Sequence, residues 1–149
     1  MTVSSYEITV RSAASPQAVF DLLADAPGWS HWAGPLIARA GWEREGDPAP
    51  GGVGAIRTFG RWPQSSREQI LAYDPPHHLA YSVLSGVPVR DYRADIDIAP
   101  EGAGTMIRWR ATFTPKIPGT GALFAKVLRG IVGGFARRAA KFAGEAPGS

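Results

Sequence analysis

The sequence predicts an α+β fold in which a seven-stranded curved antiparallel sheet wraps around one long C-terminal helix, with two short helices after the first strand. Three observations carry this reading. Residues 4–11 alternate apolar and polar side chains. Six strand-length pieces follow between about residues 36 and 114, separated by short Gly-, Pro- and Asp-containing connections. Beyond Pro118 the apolar spacing changes from two residues to a helical three or four, and it keeps that period for about 25 residues.

In the first strand Tyr6, Ile8 and Val10 share one face, and Ser5, Glu7, Thr9 and Arg11 the other. Ser15 can cap a helix whose first position is Pro16, where a missing N–H costs nothing. Val19, Phe20, Leu22 and Leu23 form its apolar side. Asp25-Ala26-Pro27-Gly28 ends it, and Trp29 to Trp32 make a second short helical turn. The six later strands are expected at 36–44, 54–60, 66–73, 78–85, 90–98 and 105–114. Connections this short imply an antiparallel meander. The final helix carries Phe124, Leu128, Ile131, Phe135, Ala139 and Phe142 as its stripe, widened by Val127 and Val132, and needs a sheet to cover it. Gly130, Gly133 and Gly134 interrupt it, which marks a bend or a close approach to the backbone. Residues 1–143 are expected to form a single domain, and 144–149 a flexible tail.

A chain of 149 residues can bury about 68–70% of its unfolded surface without staples. It has no cysteine, which excludes thiol catalysis, disulfides and thiolate metal sites. No run of 18 apolar residues occurs, and the first residues lack the basic leader and apolar core of a secretory signal, so a cytoplasmic protein is expected. Of the net charge of +3, residues 116–144 carry +6, through Lys116, Lys126, Arg129, Arg137, Arg138 and Lys141 with no acid. Such a stretch is either a solvated basic helix face or a surface for an anionic partner or membrane.

The order of elements resembles that of the helix-grip (START-like, SRPBCC) superfamily, which includes START lipid-transfer domains, birch-pollen-type allergens and the bacterial polyketide cyclase/dehydrase and lipid-transport group. Several stretches look like the bacterial members: Ser15-Pro16-Gln17-Ala18-Val19-Phe20, Trp29-Ser30-His31-Trp32, Val53-Gly54-Ala55-Ile56-Arg57, Arg67-Glu68-Gln69-Ile70, Tyr73-Asp74-Pro75-Pro76 and Gly104-Thr105-Met106-Ile107-Arg108-Trp109. The resemblance covers nearly the whole chain. It implies a hollow between sheet and helix that holds a hydrophobic small molecule, and it does not fix a reaction.

If the 54–60 and 66–73 strands form a hairpin centred near Trp62-Pro63, Arg57 faces Glu68 and Ile70 faces Ala55, with Ser66, Glu68, Ile70 and Ala72 on one face. An ion pair beside apolar neighbours either anchors and polarises a ligand, with Glu68 as proton acceptor, or is an ordinary cross-strand salt bridge. Trp109 and Phe113 alternate inward on the last strand, with Arg108 and Arg110 outward; the Trp109 indole N–H is a candidate donor to a ligand oxygen. Tyr81 and Tyr92 offer phenols to the interior, either as ligand contacts or as satisfied core tyrosines. The candidate ligand-binding set is Trp32, Arg57, Phe59, Glu68, Tyr81, Tyr92, Trp109, Phe113, Phe124, Leu128 and Phe135. His31 reads as an exposed loop residue. His77 and His78 point to opposite faces, so no metal is expected. The pattern lacks a nucleophile elbow, a P-loop and a complete dinucleotide fingerprint, and no cofactor or nucleic-acid partner is expected.

The functional readings are therefore a carrier of a lipid or polyketide-like molecule, a cofactor-free cyclase, aromatase or dehydratase using polar pocket residues, or a docking module using the basic helix. Partners reduce to a hydrophobic small molecule and at most a weak membrane-surface contact, with the chain as monomer or homodimer.

Overall fold

The N-terminal alternation is realised as β1 (Ser4–Ser12), with Tyr6 and Ile8 buried and their neighbours exposed. The structure, a computed structural model, describes residues 3–145. Ser15 caps α1 (Pro16–Ala24) as expected, its hydroxyl accepting from the Ala18 N–H at 3.2 Å, and α1 buries Val19, Phe20 and Leu23. A short 3₁₀ helix follows (Ala26–His31), and then come β2 (Arg39–Arg44), β3 (Ile56–Arg61), β4 (Gln64–Asp74), β5 (His78–Ser85), β6 (Val89–Glu101), β7 (Gly104–Pro115) and α2 (Gly121–Glu145). No helix among the described residues is long and apolar enough to cross a membrane.

The seven strands form one antiparallel sheet in the order β1-β7-β6-β5-β4-β3-β2. β2 to β7 are therefore the expected meander, and β1 closes beside the last strand. Two strands start later than their patterns suggest. Gly34 adopts φ of +101° in a turn closed by Ile37 N–H on Gly34 O, so β2 begins at Arg39 and not at residue 36. Gly54, at φ of +91°, sets a similar turn before β3. Pro100 pairs within β6 and does not end it, since the turn is confined to Gly102 and Ala103.

The core lies between the concave face of the sheet and α2. The apolar face of β4 does not continue through Ala72 as expected. A β-bulge between Ile70 and Ala72 puts Ala72 opposite Ala80, and Tyr73 takes the inward position against Phe20 of α1, with ring centroids 5.4 Å apart. On the convex face the arginines of β7 do reach solvent, where Arg108 pairs with Glu7 and Arg110 with Asp97.

The buried face of α2 also differs from the large-residue stripe. Val132, Gly133, Ala136, Ala139, Ala140 and Ala143 are buried, whereas Phe142 is 42% exposed and Val127 48%. Small side chains let the helix backbone approach β1 closely, and the Ser12 hydroxyl then donates to Ala140 O at 2.7 Å while accepting from the Ala14 N–H at 3.1 Å. The larger Leu128, Ile131 and Phe135 are rotated toward the cavity instead. The basic face is only partly solvated, since Arg129 donates to Glu7 O and Arg138 to Ala33 O. Gly144 and Glu145 belong to the helix, and the rest of the expected tail lies outside the described residues.

Ser12→Ala removes the donor to a buried carbonyl and the acceptor of a buried N–H. It is expected to lower unfolding stability by about 1–3 kcal/mol with an unchanged m-value, as read by urea denaturation.

Candidate functional site

The concave face leaves a cavity of about 520 Å³ between sheet and α2, within the usual range for small-molecule sites. Its inner wall comes from Trp29, Phe59, Glu68, Tyr81, Tyr92 and Trp109, and α2 contributes Leu128, Ile131, Val132 and Phe135. Its mouth opens between the β3–β4 turn (Arg61 to Ser65) and the β5–β6 turn (Gly86, Val87), with Leu36 beside them. The two turns brace each other: Gln64 donates to Gly86 O at 2.7 Å, and a Cβ on Gly86, whose φ is +99°, would stand 2.2 Å from Ser65 O.

Register across the sheet explains the shape. Tyr6, Ala111, Ala94, Tyr81 and Ile70 are consecutive cross-strand neighbours. The two alanines between Tyr6 and Tyr81 leave room for the phenols to lean together. Tyr92, two residues before Ala94, joins them by a hydrogen bond to the Tyr6 hydroxyl, and the Trp109 indole donates to Tyr81 Oη at 3.2 Å. Burial pushes all three phenols upward, so they remain protonated.

β3 and β4 pair as the sequence predicts, with Arg57 opposite Glu68 and the turn at Trp62-Pro63. Arg57 is fully buried. Its Nε donates to Glu68 Oε1 at 2.9 Å, and its Nη1 to the Leu23 carbonyl at the end of α1 at 3.1 Å. Nη2 lies 2.9 Å from the same carboxylate oxygen without a hydrogen bond of its own. The guanidinium carbon sits 4.9–5.2 Å from the ring centroids of Tyr81, Phe59 and Trp29, a desolvated cation–π arrangement. Glu68, 14% exposed, is the carboxylate on the cavity wall. Burial raises its pKa above the ordinary 4.5, and the charge and hydrogen bond of Arg57 oppose that rise. Both Arg57 contacts fall on Oε1, which leaves Oε2 for a ligand.

The structure brings Phe59, Glu68, Tyr81, Tyr92, Trp109, Leu128 and Phe135 together on the wall, and it sets four expected residues apart. Trp32 is buried behind Trp29, ring centroids 4.6 Å apart, because Trp29 donates to Leu23 O and takes the wall position. Arg57 is sealed behind Trp29, Phe59 and Tyr81 and meets the cavity only through Glu68. Phe113 is stacked behind Tyr92, centroids 6.0 Å apart. Phe124 lies half-buried on the first turn of α2, outside the wall. The Trp109 indole is already committed to Tyr81 and is not a free donor. Sequence reasoning missed the mouth residues of the two turns, whose polar composition read only as turn chemistry, and it missed Tyr6 as a member of the phenol group, although alternation had placed it inward. His78 sits on the convex side between Asp95 (2.9 Å) and Asp97 (3.0 Å), and His31 is exposed. Among the described residues no group of three or more His, Cys, Asp or Glu is arranged to hold a metal ion.

Residues 4–143 match the family described as polyketide cyclase / dehydrase and lipid transport. A search of the curated proteins found no match. Among solved structures, the chain is similar to a START superfamily protein from Mycobacterium smegmatis (TM-score 0.74, 16% identity, 91% of this chain and 93% of that one). It is also similar to the di-domain ARO/CYC StfQ of the steffimycin biosynthetic pathway (TM-score 0.71, 20% identity, 93% and 49%). A third is a point mutant of Thalictrum flavum norcoclaurine synthase in complex with a transition-state analogue (TM-score 0.71, 17% identity, 93% and 92%). At these identities the likenesses show the shared fold.

Arg57→Met leaves Glu68 without its counter-charge, so the Glu68 pKa is expected to rise further and stability at pH 7 to fall by about 3–5 kcal/mol. A folded-state pKa above the unfolded one gives a contribution that is complete below the unfolded pKa and is lost as pH rises through the folded value. The deficit of the variant should therefore shrink on acidification toward 4.5 and grow toward neutrality, as measured by urea melts across pH.

Proposed function

We propose that this chain, which belongs to the polyketide cyclase/dehydrase and lipid transport family, binds a neutral, predominantly apolar molecule of lipid or polyketide type, whose buried polar group donates a hydrogen bond to Glu68. The carrying observation is the charge arrangement of the inner wall. Its carboxylate is open to the cavity, while the nearest cation, Arg57, is sealed behind three aromatic rings and already committed to Glu68 and Leu23 O. A ligand carboxylate at that depth would meet Glu68 with no free cation to offset it, whereas a hydroxyl or phenol finds an acceptor. Affinity then comes from burial against Trp29, Phe59, Phe135 and Leu128. The working unit is the span 4–143, expected in the cytoplasm as monomer or homodimer.

A second reading, a cofactor-free cyclase or dehydratase, is favoured by one observation. A carboxyl with a raised pKa stands on the same wall as phenols that stay protonated. In such a pocket Glu68 would accept a proton from carbon between two carbonyls, while a phenol donates to the carbonyl oxygen as negative charge develops there.

The test is calorimetric titration with 1-naphthol and 1-naphthoate. The naphthol is expected to bind at least about tenfold more tightly, and Leu128→Trp, which fills the cavity, to abolish both signals. Tighter binding of the naphthoate overturns the proposal. Turnover of a poly-β-keto thioester mimic that falls about 10²-fold or more in Glu68→Gln would decide for the enzyme over the carrier.

A further inference from the structure

The antiparallel meander sorts its connections onto two ends of the sheet, and the ends differ in chemistry. One end carries the segment before β2, the β3–β4 and β5–β6 turns, and the β7–α2 connection with the first turns of α2. The cavity opens at this same end. Large apolar side chains stand out to solvent there: Trp62 at 80% exposure, Leu123 at 63%, Val3 beside the start of β1 at 62%, Ile117 at 57%, Leu36 at 54%, Val127 at 48% and Leu84 at 43%. They come from separate stretches of the chain, and of them Leu36 and Trp62 line the opening itself.

Charge follows the same division. Segments 34–40, 60–66, 84–91 and 114–127 hold Arg39, Arg61, Arg90, Lys116 and Lys126 against the single acid Asp91. None of these five cations is in an ion pair among the described residues. At the opposite end, segments 45–55, 74–77 and 101–104 hold Glu45, Asp47, Asp74 and Glu101, of which Glu101 is paired with Arg11, and the last turn of α2 beside Ser12 and Ala13 adds Lys141 and Glu145. The mouth end thus carries five positive charges and one negative, a local +4 in a chain whose net charge is +3. In the field of an anionic surface, such a distribution turns the mouth toward that surface.

We propose that the mouth end docks on an anionic lipid bilayer, with Trp62 and the surrounding aliphatic side chains entering the interfacial layer and the five cations lying over the headgroups. Indole at a hairpin tip and aliphatic side chains interspersed with Lys and Arg suit that boundary. A protein interface would instead gather its apolar groups into a central patch with the charges at its rim. Docked this way, the cavity opens onto the bilayer, and an apolar ligand passes between lipid and protein without crossing bulk water.

Flotation with phosphatidylcholine vesicles, with and without phosphatidylserine, tests the proposal on the full chain. Retention is expected on the anionic vesicles and release at high salt, since the attraction of surface charges is screened. Lys116→Glu/Lys126→Glu should cut partitioning at least about tenfold. Trp62→Ser should also reduce it, and should remove a blue shift in tryptophan emission seen on binding, while Glu45→Lys/Asp74→Lys at the far end should leave partitioning undiminished. Equal retention on neutral and anionic vesicles, or no loss in the mouth-end variants, overturns the proposal. So does salt-sensitive binding of this face to an acidic soluble protein with no retention on vesicles. Naphthol binding by the same variants in vesicle-free solution separates loss of docking from loss of the cavity.

Discussion

Arg57 is held inside the protein by groups from five places in the chain: the Leu23 carbonyl at the end of α1, Trp29 of the 3₁₀ helix, Phe59 beside it on β3, Glu68 on β4 and Tyr81 on β5. A buried guanidinium is tolerated only where counter-charge and acceptors are already in place, so each of these groups is fixed by the same requirement. Leu23 O is one of the carbonyls that a helix end leaves without an internal partner, and it also accepts from the Trp29 indole at 3.0 Å. The helical segment after β1 is thereby tied to the middle of the sheet. This tie puts the Trp29 ring on the cavity wall and Trp32 behind it.

Small residues shape the cavity as much as large ones. Ala94 and Ala111 leave the space into which Tyr6, Tyr81 and Tyr92 converge, and the Gly133, Ala136 and Ala140 face of α2 allows the helix to lie close to β1. With one side of α2 seated on β1, Leu128, Ile131 and Phe135 are directed to the open side. The result is an apolar chamber with one carboxylate and a set of phenols whose protons are retained by burial. Polarity at the inner wall is concentrated around Glu68, and this constrains which end of a ligand can sit there.

Antiparallel order also separates function along the strand axis. The α1 side of the sheet is filled by Phe20, Tyr73 and Leu79, while the other end is left open between two short turns. Since each turn at that end belongs to a different strand pair, basic and apolar residues scattered along the chain come together at one end of the sheet. No single segment carries the charge pattern that the assembled end displays.

Sequence alone determined the elements and most of their faces. Alternation in β1 and β7 fixed which side chains point inward, because a strand has a strict period of two, and the Trp62-Pro63 turn fixed the Arg57–Glu68 pairing by the same rule. Ser15 and Pro16 marked the start of α1 because capping is local chemistry. Tertiary structure decided what those rules do not contain. The bulge after Ile70 moved Tyr73 inward, a change of one residue that reverses every side chain beyond it. The buried face of α2 followed the closeness of packing on β1, so small residues took the position that hydrophobicity had assigned to Phe142. The depth of Arg57, the exchange of Trp29 for Trp32 and the convergence of Tyr6 on Tyr92 all depend on neighbours distant in the chain, and periodicity within one element carries no information about such neighbours.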